Sequence, residues 1–192
     1  MLLAAVISLA LAGCASKSKP HATAGGGPPG PTNVTFRAFA ANGDLAVPVA
    51  DVARGECWTT SIAAPGADAY RCFQGNKILD PCFASAHPKA PVQVACLAAP
   101  WSRALMLTVS GALPPSPTPS ASVRPWAFQL AGGVRCVAST GTVPAIGQVN
   151  LGYRCADGGN AAFTGPDSGT ASYAAAGATT LRTVAVTTIW HA

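Results

Sequence analysis

Few side chains in this 192-residue sequence are equipped for chemistry. From residue 33 onward, proton transfer could draw on His87, His191, Glu56 and six aspartates, Asp80 and Asp157 among them. A general base has to lie beside the proton it takes, and a nucleophile needs both a base and an oxyanion-stabilising group. No local signature of such a site is present: there is no Gly-x-Ser-x-Gly elbow, no His-Glu-x-x-His, no phosphate-cradling Gly loop and no calcium-loop spacing of acids. His87 precedes Pro88 and His191 is penultimate, so both read as exposed loop or terminal residues. Asp80 and Asp157 stand beside cysteines at turn-like positions, where a carboxylate commonly caps backbone amides. Four tryptophans, Trp58, Trp101, Trp126 and Trp190, suit a stacking platform for sugars or wall polymers, or a core. The apolar neighbours of Trp58 and Trp126 favour the core. If the protein recognises a ligand, Trp58, Tyr70, Arg71, Phe73 and Lys77 gather the aromatic and cationic residue types typical of binding hot spots into one short stretch.

The remaining reactive groups are cysteines. Residues 2–13 form an apolar run too short to span a bilayer but suited to the core of a signal peptide. The run ends in Leu11-Ala12-Gly13-Cys14, which resembles the bacterial lipobox, with the Met1 amine as the only positive charge ahead of it. That resemblance implies removal of residues 1–13, a diacylglyceryl group on Cys14 and an anchor on the extracytoplasmic face of the cell membrane. Six cysteines are left: Cys57, Cys72, Cys82, Cys96, Cys136 and Cys155. An even number in an exported chain reads as three disulfides, whereas a structural zinc site would show Cys-x-x-Cys steps or histidines at ligand spacing. No metal or cofactor is expected. Each neighbouring pair flanks a turn signal: Pro65-Gly66 lies between Cys57 and Cys72, Pro88 to Pro91 between Cys82 and Cys96, and Pro144 to Gly147 between Cys136 and Cys155. Each pair can therefore face across its own hairpin, at the close approach that non-hydrogen-bonded positions of an antiparallel ladder provide. Pairing of Cys57 with Cys72 would also set Trp58 opposite Arg71 for a cation-π contact.

The elements that must position these residues look like strands. Charged residues make up only 10% of the chain, while Gly numbers 20 and Pro 17, which favours many turns between short segments. Residues 14–32 form a Gly- and Pro-rich tether that lacks the apolar residues to fold. Residues 33–192 are expected to form one domain, interrupted by an exposed Pro-rich loop at 112–125. Asn42-Gly43 between Val34–Ala41 and Leu45–Val49 signals an opening hairpin. Val149, Leu151, Tyr153 and Cys155 alternate with polar or small residues, as do Val184, Val186 and Trp190 in the last strand. Leu105–Val109 and Trp126–Leu130 are further short apolar segments, and Ala171–Ala178 could be helical by composition. The fold class is mainly β, an antiparallel sandwich or small barrel stapled by three disulfides.

The formal charge of +5 includes Lys17 and Lys19 in the tether, and the other basic residues are scattered singly, without the stripe that tracks phosphates. Nucleic acid is not an expected partner. The segments Glu56–Ile62, Asp68–Cys72, Asp80–Phe83, Pro125–Ala127 and Arg135–Cys136 resemble those of exported, cysteine-rich actinobacterial proteins. That resemblance implies an extracytoplasmic disulfide domain and brings no catalytic residue with it. The leading expectation is a non-enzymatic, lipid-anchored envelope module that binds a protein partner or wall material. An atypical envelope hydrolase and a purely structural envelope protein are the alternatives.

Overall fold

The computed structural model describes residues 30–66, 68–115, 124–165 and 168–192. Residues 1–29, which include the segment read as a signal peptide, Cys14 and most of the expected tether, and residues 116–123 of the Pro-rich segment lie outside the described residues.

Nearly all the regular structure is β, arranged as two closed sheets. The first contains β2 (Val49–Thr60), β3 (Ala69–Gln74), β4 (Lys77–Ala84), β5 (Gln93–Cys96) and β6 (Ala104–Val109). Consecutive strands pair antiparallel, so the first and fifth of the meander run in the same direction and the barrel closes through a parallel β2–β6 pair. The tight corner of β2 explains Gly55: a Cβ there would stand 1.9 Å from the Phe73 carbonyl oxygen.

The second sheet contains β7 (Ala127–Leu130), β8 (Arg135–Ala138), β11 (Tyr153–Cys155), β12 (Asn160–Phe163), β13 (Thr170–Ala174) and β14 (Arg182–His191). Six strands make an even number, and this ring closes antiparallel through β7–β14. β14 is long enough to serve two neighbours in turn, β13 with its first half and β7 with its second. Outside the ring, β1 (Thr32–Thr35) pairs parallel with the end of β14. A small hairpin of β9 (Ala145–Ile146) and β10 (Val149–Asn150) lies between β8 and β11.

Small residues line much of both interiors and aromatic rings supply the bulk. Cys57, Tyr70, Cys72, Cys82, Val94, Cys96 and Leu107 fill the first barrel. A larger cluster crosses from sheet to sheet, with Phe83, Ala95 and Met106 from the first and Phe128, Leu130, Tyr153 and Ile189 from the second. At the junction Trp126 packs against Phe36 and Phe83 with ring centroids 4.9 and 5.2 Å apart, so three separate stretches of chain meet on one indole.

All three disulfides join the expected partners, with Cα separations of 3.9, 3.8 and 4.0 Å for Cys57–Cys72, Cys82–Cys96 and Cys136–Cys155. In each bridge the two cysteines are direct cross-strand partners. Several local expectations are corrected. Residues 34–41 are not one strand: Val34 belongs with β14, and the Asn42-Gly43 turn joins only short arms held by the Phe39–Leu45 bridge. Ala171 opens no helix; the segment forms most of β13 and then a turn. The 149–155 run keeps its alternation but is broken into β10 and β11. A bulge between Val186 and Thr188 changes the parity of β14, so that Ile189 and not Trp190 enters the core.

Candidate functional site

The anticipated surface forms on the outer face of β2 and β3. Cys57 pairs with Cys72, but Thr59 pairs with Arg71, so Trp58 occupies a bulge. With Cys57 inside the barrel the next side chain faces out, contrary to the core placement that its apolar neighbours favour: Trp58 is 40% exposed. It stacks on Phe73 with centroids 3.9 Å apart and planes 14° apart, and the Arg71 guanidinium lies 5.5 Å from the ring centroid. Lys77 is exposed at the β3–β4 turn. Tyr70 does not belong to this surface, because the strand alternation turns it into the first barrel, where it is buried beside Cys72 and Cys82.

Arg71 is firmly placed. Its terminal nitrogen donates to the Thr140 carbonyl oxygen at 3.2 Å, linking the first sheet to the loop after β8. Its Nε lies 3.5 Å from the Asp80 carboxylate, long for a hydrogen bond but close for a charge contact. The Asp80 side chain is fully buried. Asp80 caps backbone amides as expected, but from within β4 and across space: it accepts from the Ser61 hydroxyl and from the amides of Ile62 and Ala63 at 3.3 and 3.5 Å. In β4, three residue steps from Leu79 to Cys82 face two from Cys72 to Tyr70, and this irregularity at Asp80-Pro81 aims the carboxylate at the Ser61 turn. Ser61 is no free nucleophile, since its buried Oγ also accepts from the Ala64 amide at 2.9 Å.

Asp157 does cap its own turn, accepting from the Gly159 amide at 3.1 Å and from the Tyr173 hydroxyl. The bond from Tyr173 is the main reason its carboxyl is held below the ordinary value, and the same bond raises the Tyr173 hydroxyl. His87 is exposed in the loop between β4 and β5. His191 is less free than a terminal residue: it ends β14, with Nε2 3.1 Å from the Asn33 Oδ1. The sulfurs of Cys72, Cys82 and Cys96 lie within 4.8 Å of one another, but all belong to disulfides and offer a metal no thiolate.

The tryptophans and acidic residues do not share one cleft. Asp80 borders a cleft with Lys77, Ile78 and Arg103, whereas Trp101 borders a separate groove of about 510 Å³ with Gly132, Gly133, Arg135 and Asp157. Trp101 is 40% exposed, meets Trp190 in a T-shaped contact at 5.2 Å and has the Arg135 guanidinium 5.0 Å from its centroid. Sequence reasoning did not assemble this groove. Its residues come from the turn before β6, the β7–β8 turn and the β11–β12 turn, which the β8–β11 pairing and the packing of the first sheet on the second bring together. Compared with protein-family models, curated proteins and solved structures, the chain shows no match.

Proposed function

We propose that this protein is a lipid-anchored, extracytoplasmic binding module of the bacterial cell envelope, without catalytic activity. The lipobox-like Leu11-Ala12-Gly13-Cys14 supports the anchor, and three disulfides suit an oxidising compartment. The observation that carries the binding reading is the Trp58–Phe73 stack with Arg71 beside it. An indole and a phenyl ring stacked partly in water are costly to hydrate, and here the backbone beneath them is fixed by a disulfide one residue away. A surface of this kind fits an envelope protein or wall polymer that can cover the indole and accept from Arg71 or Lys77.

Full-length protein, isolated with its anchor, should retain purified envelope material in a pull-down. Trp58→Ala and Phe73→Ala should each weaken retention by roughly tenfold, the scale of a modest aromatic hot spot. Protease-treated and glycosidase-treated fractions separate a protein partner from wall polymer. Undiminished retention by both variants, with circular dichroism unchanged, would reject this surface. Turnover of ester, amide or glycoside substrates that vanishes in Asp80→Asn or His87→Ala would reject the binding reading itself. Cys14→Ser should abolish incorporation of a fatty-acid label; equal labelling of the variant would remove the anchor.

A further inference from the structure

We infer that the groove bordered by Trp101, Arg135 and Asp157 binds a neutral saccharide. This site is separate from the Trp58 surface and does not depend on it. The two charged side chains in the groove have opposite sign and do not pair with each other; among the described residues the ion pairs are Arg71–Asp80 and Lys89–Asp44. Each is held by other partners. The Arg135 Nε donates to Gln129 Oε1 at 3.2 Å, and the guanidinium lies over Trp101. Asp157 is fixed by Tyr173 and Gly159. Neither set of bonds exhausts its group, because a guanidinium carries five N–H donors and a carboxylate about four acceptor sites.

The strands beneath are rigidly related. Arg135 and Asp157 flank the Cys136–Cys155 bridge, and the Ala156 amide donates to the Arg135 carbonyl oxygen at 2.9 Å. A donor and an acceptor thus stand on strands joined by a disulfide, beside an indole and a Gly132-Gly133 edge where an added Cβ would meet nothing within 4 Å. Hydroxyls of one ligand can accept from Arg135 and donate to Asp157. The C–H groups of a saccharide ring suit the part of the indole that the Arg135 guanidinium and Trp190 leave exposed. A phosphate or carboxylate ligand would meet the Asp157 carboxylate, whose charge Arg182 already helps to hold, and this argues for a neutral ligand. Sites that combine an apolar wall with a few oriented polar groups are the usual form of small-ligand recognition.

Calorimetric titration of the full chain with cellotetraose and with tetra-N-acetylglucosamine tests this, with tetragalacturonate as the anionic comparison. Saturable binding of at least one neutral tetrasaccharide is expected, about tenfold weaker in Trp101→Ala and in Arg135→Gln. Asp157→Asn should weaken it similarly; because that change also touches Tyr173, Arg135→Gln decides the case if the Asn variant misfolds. Lys89→Ala, a change at an exposed residue in neither surface, should bind as the parent does. Three results would overturn the inference: no binding of either neutral tetrasaccharide, tighter binding of tetragalacturonate, or unchanged affinity in folded Trp101→Ala and Arg135→Gln.

Discussion

A phenol withdrawn from water resists ionisation unless a cation replaces the lost hydration, and Tyr153 shows both effects at once. It is buried between β8 and β12, donates to the Pro125 carbonyl oxygen at 2.8 Å and has the Arg124 guanidinium 5.9 Å from its ring. Burial dominates and pushes its pKa up to about 12, with Arg124 pulling the other way. A folded-state pKa above the unfolded value of 10.0 means a contribution fully present below pH 10 and lost as pH rises from 10 towards 12. The full loss amounts to about 2 to 3 kcal/mol. Urea unfolding at pH 9, 10 and 11 should show stability falling more steeply in the parent than in Tyr153→Phe, which lacks the titrating group; parallel slopes would refute the assignment. Single residues were the least legible level of the sequence. Trp58 and Tyr70 sit in comparably apolar stretches, yet one stands on the surface and the other in the core. Their parity relative to the bridged cysteines separates them, Trp58 one residue from Cys57 and Tyr70 two from Cys72. The apolar character of neighbouring residues does not carry that parity.

Elements were more legible where side chains act across a turn. Three cysteine pairs flanking three turn signals gave the bridges that form, because antiparallel neighbours bring their cysteines to within 4.0 Å at the Cα atoms. The argument held even for Cys136 and Cys155, where the intervening chain is a second small hairpin and not a simple turn. It was weaker where strand ends change partners: Val34 satisfies its backbone on β14 in preference to the Asn42-Gly43 arms, a choice between distant edges. The Cys136–Cys155 bridge closes 19 residues of separation and ties β8 to β11 through a three-residue strand with few ladder bonds of its own. Replacing both cysteines with alanine should cost about 3 kcal/mol, chiefly through the regained freedom of the unfolded chain. Guanidinium unfolding of the double variant measures this, and a loss below about 1 kcal/mol would mean that β8 and β11 hold together without the bridge.

At the scale of the whole molecule, chain length argues for one core, and the Pro-rich segment then reads as a loop; in chain order that segment separates the strands of two closed sheets. Both facts are reconciled by side-chain size. Alanines and cystines line much of both interiors, with Tyr70 and Leu107 as larger residues in the first, and Phe36, Phe83 and Trp126 meet where the sheets join. Trp126 is the centre of that contact, packed on Phe36 from the N-terminal segment and Phe83 from β4 while its own backbone leads into β7. Apolar contacts of this extent couple the two sheets, since opening either would expose rings belonging to the other. Denaturant unfolding should therefore be a single transition, with tryptophan fluorescence and far-ultraviolet circular dichroism giving the same midpoint. Trp126→Ala should lower that shared midpoint, removing about 3 to 5 kcal/mol through the cavity it leaves. The sheets can be told apart in this experiment, because Phe83 and Met106 report from the first and Phe128 and Ile189 from the second when their proton resonances are followed through the transition. Resonances of the first sheet that persist in Trp126→Ala after those of the second have collapsed would show two independent folding units and defeat the coupling argument.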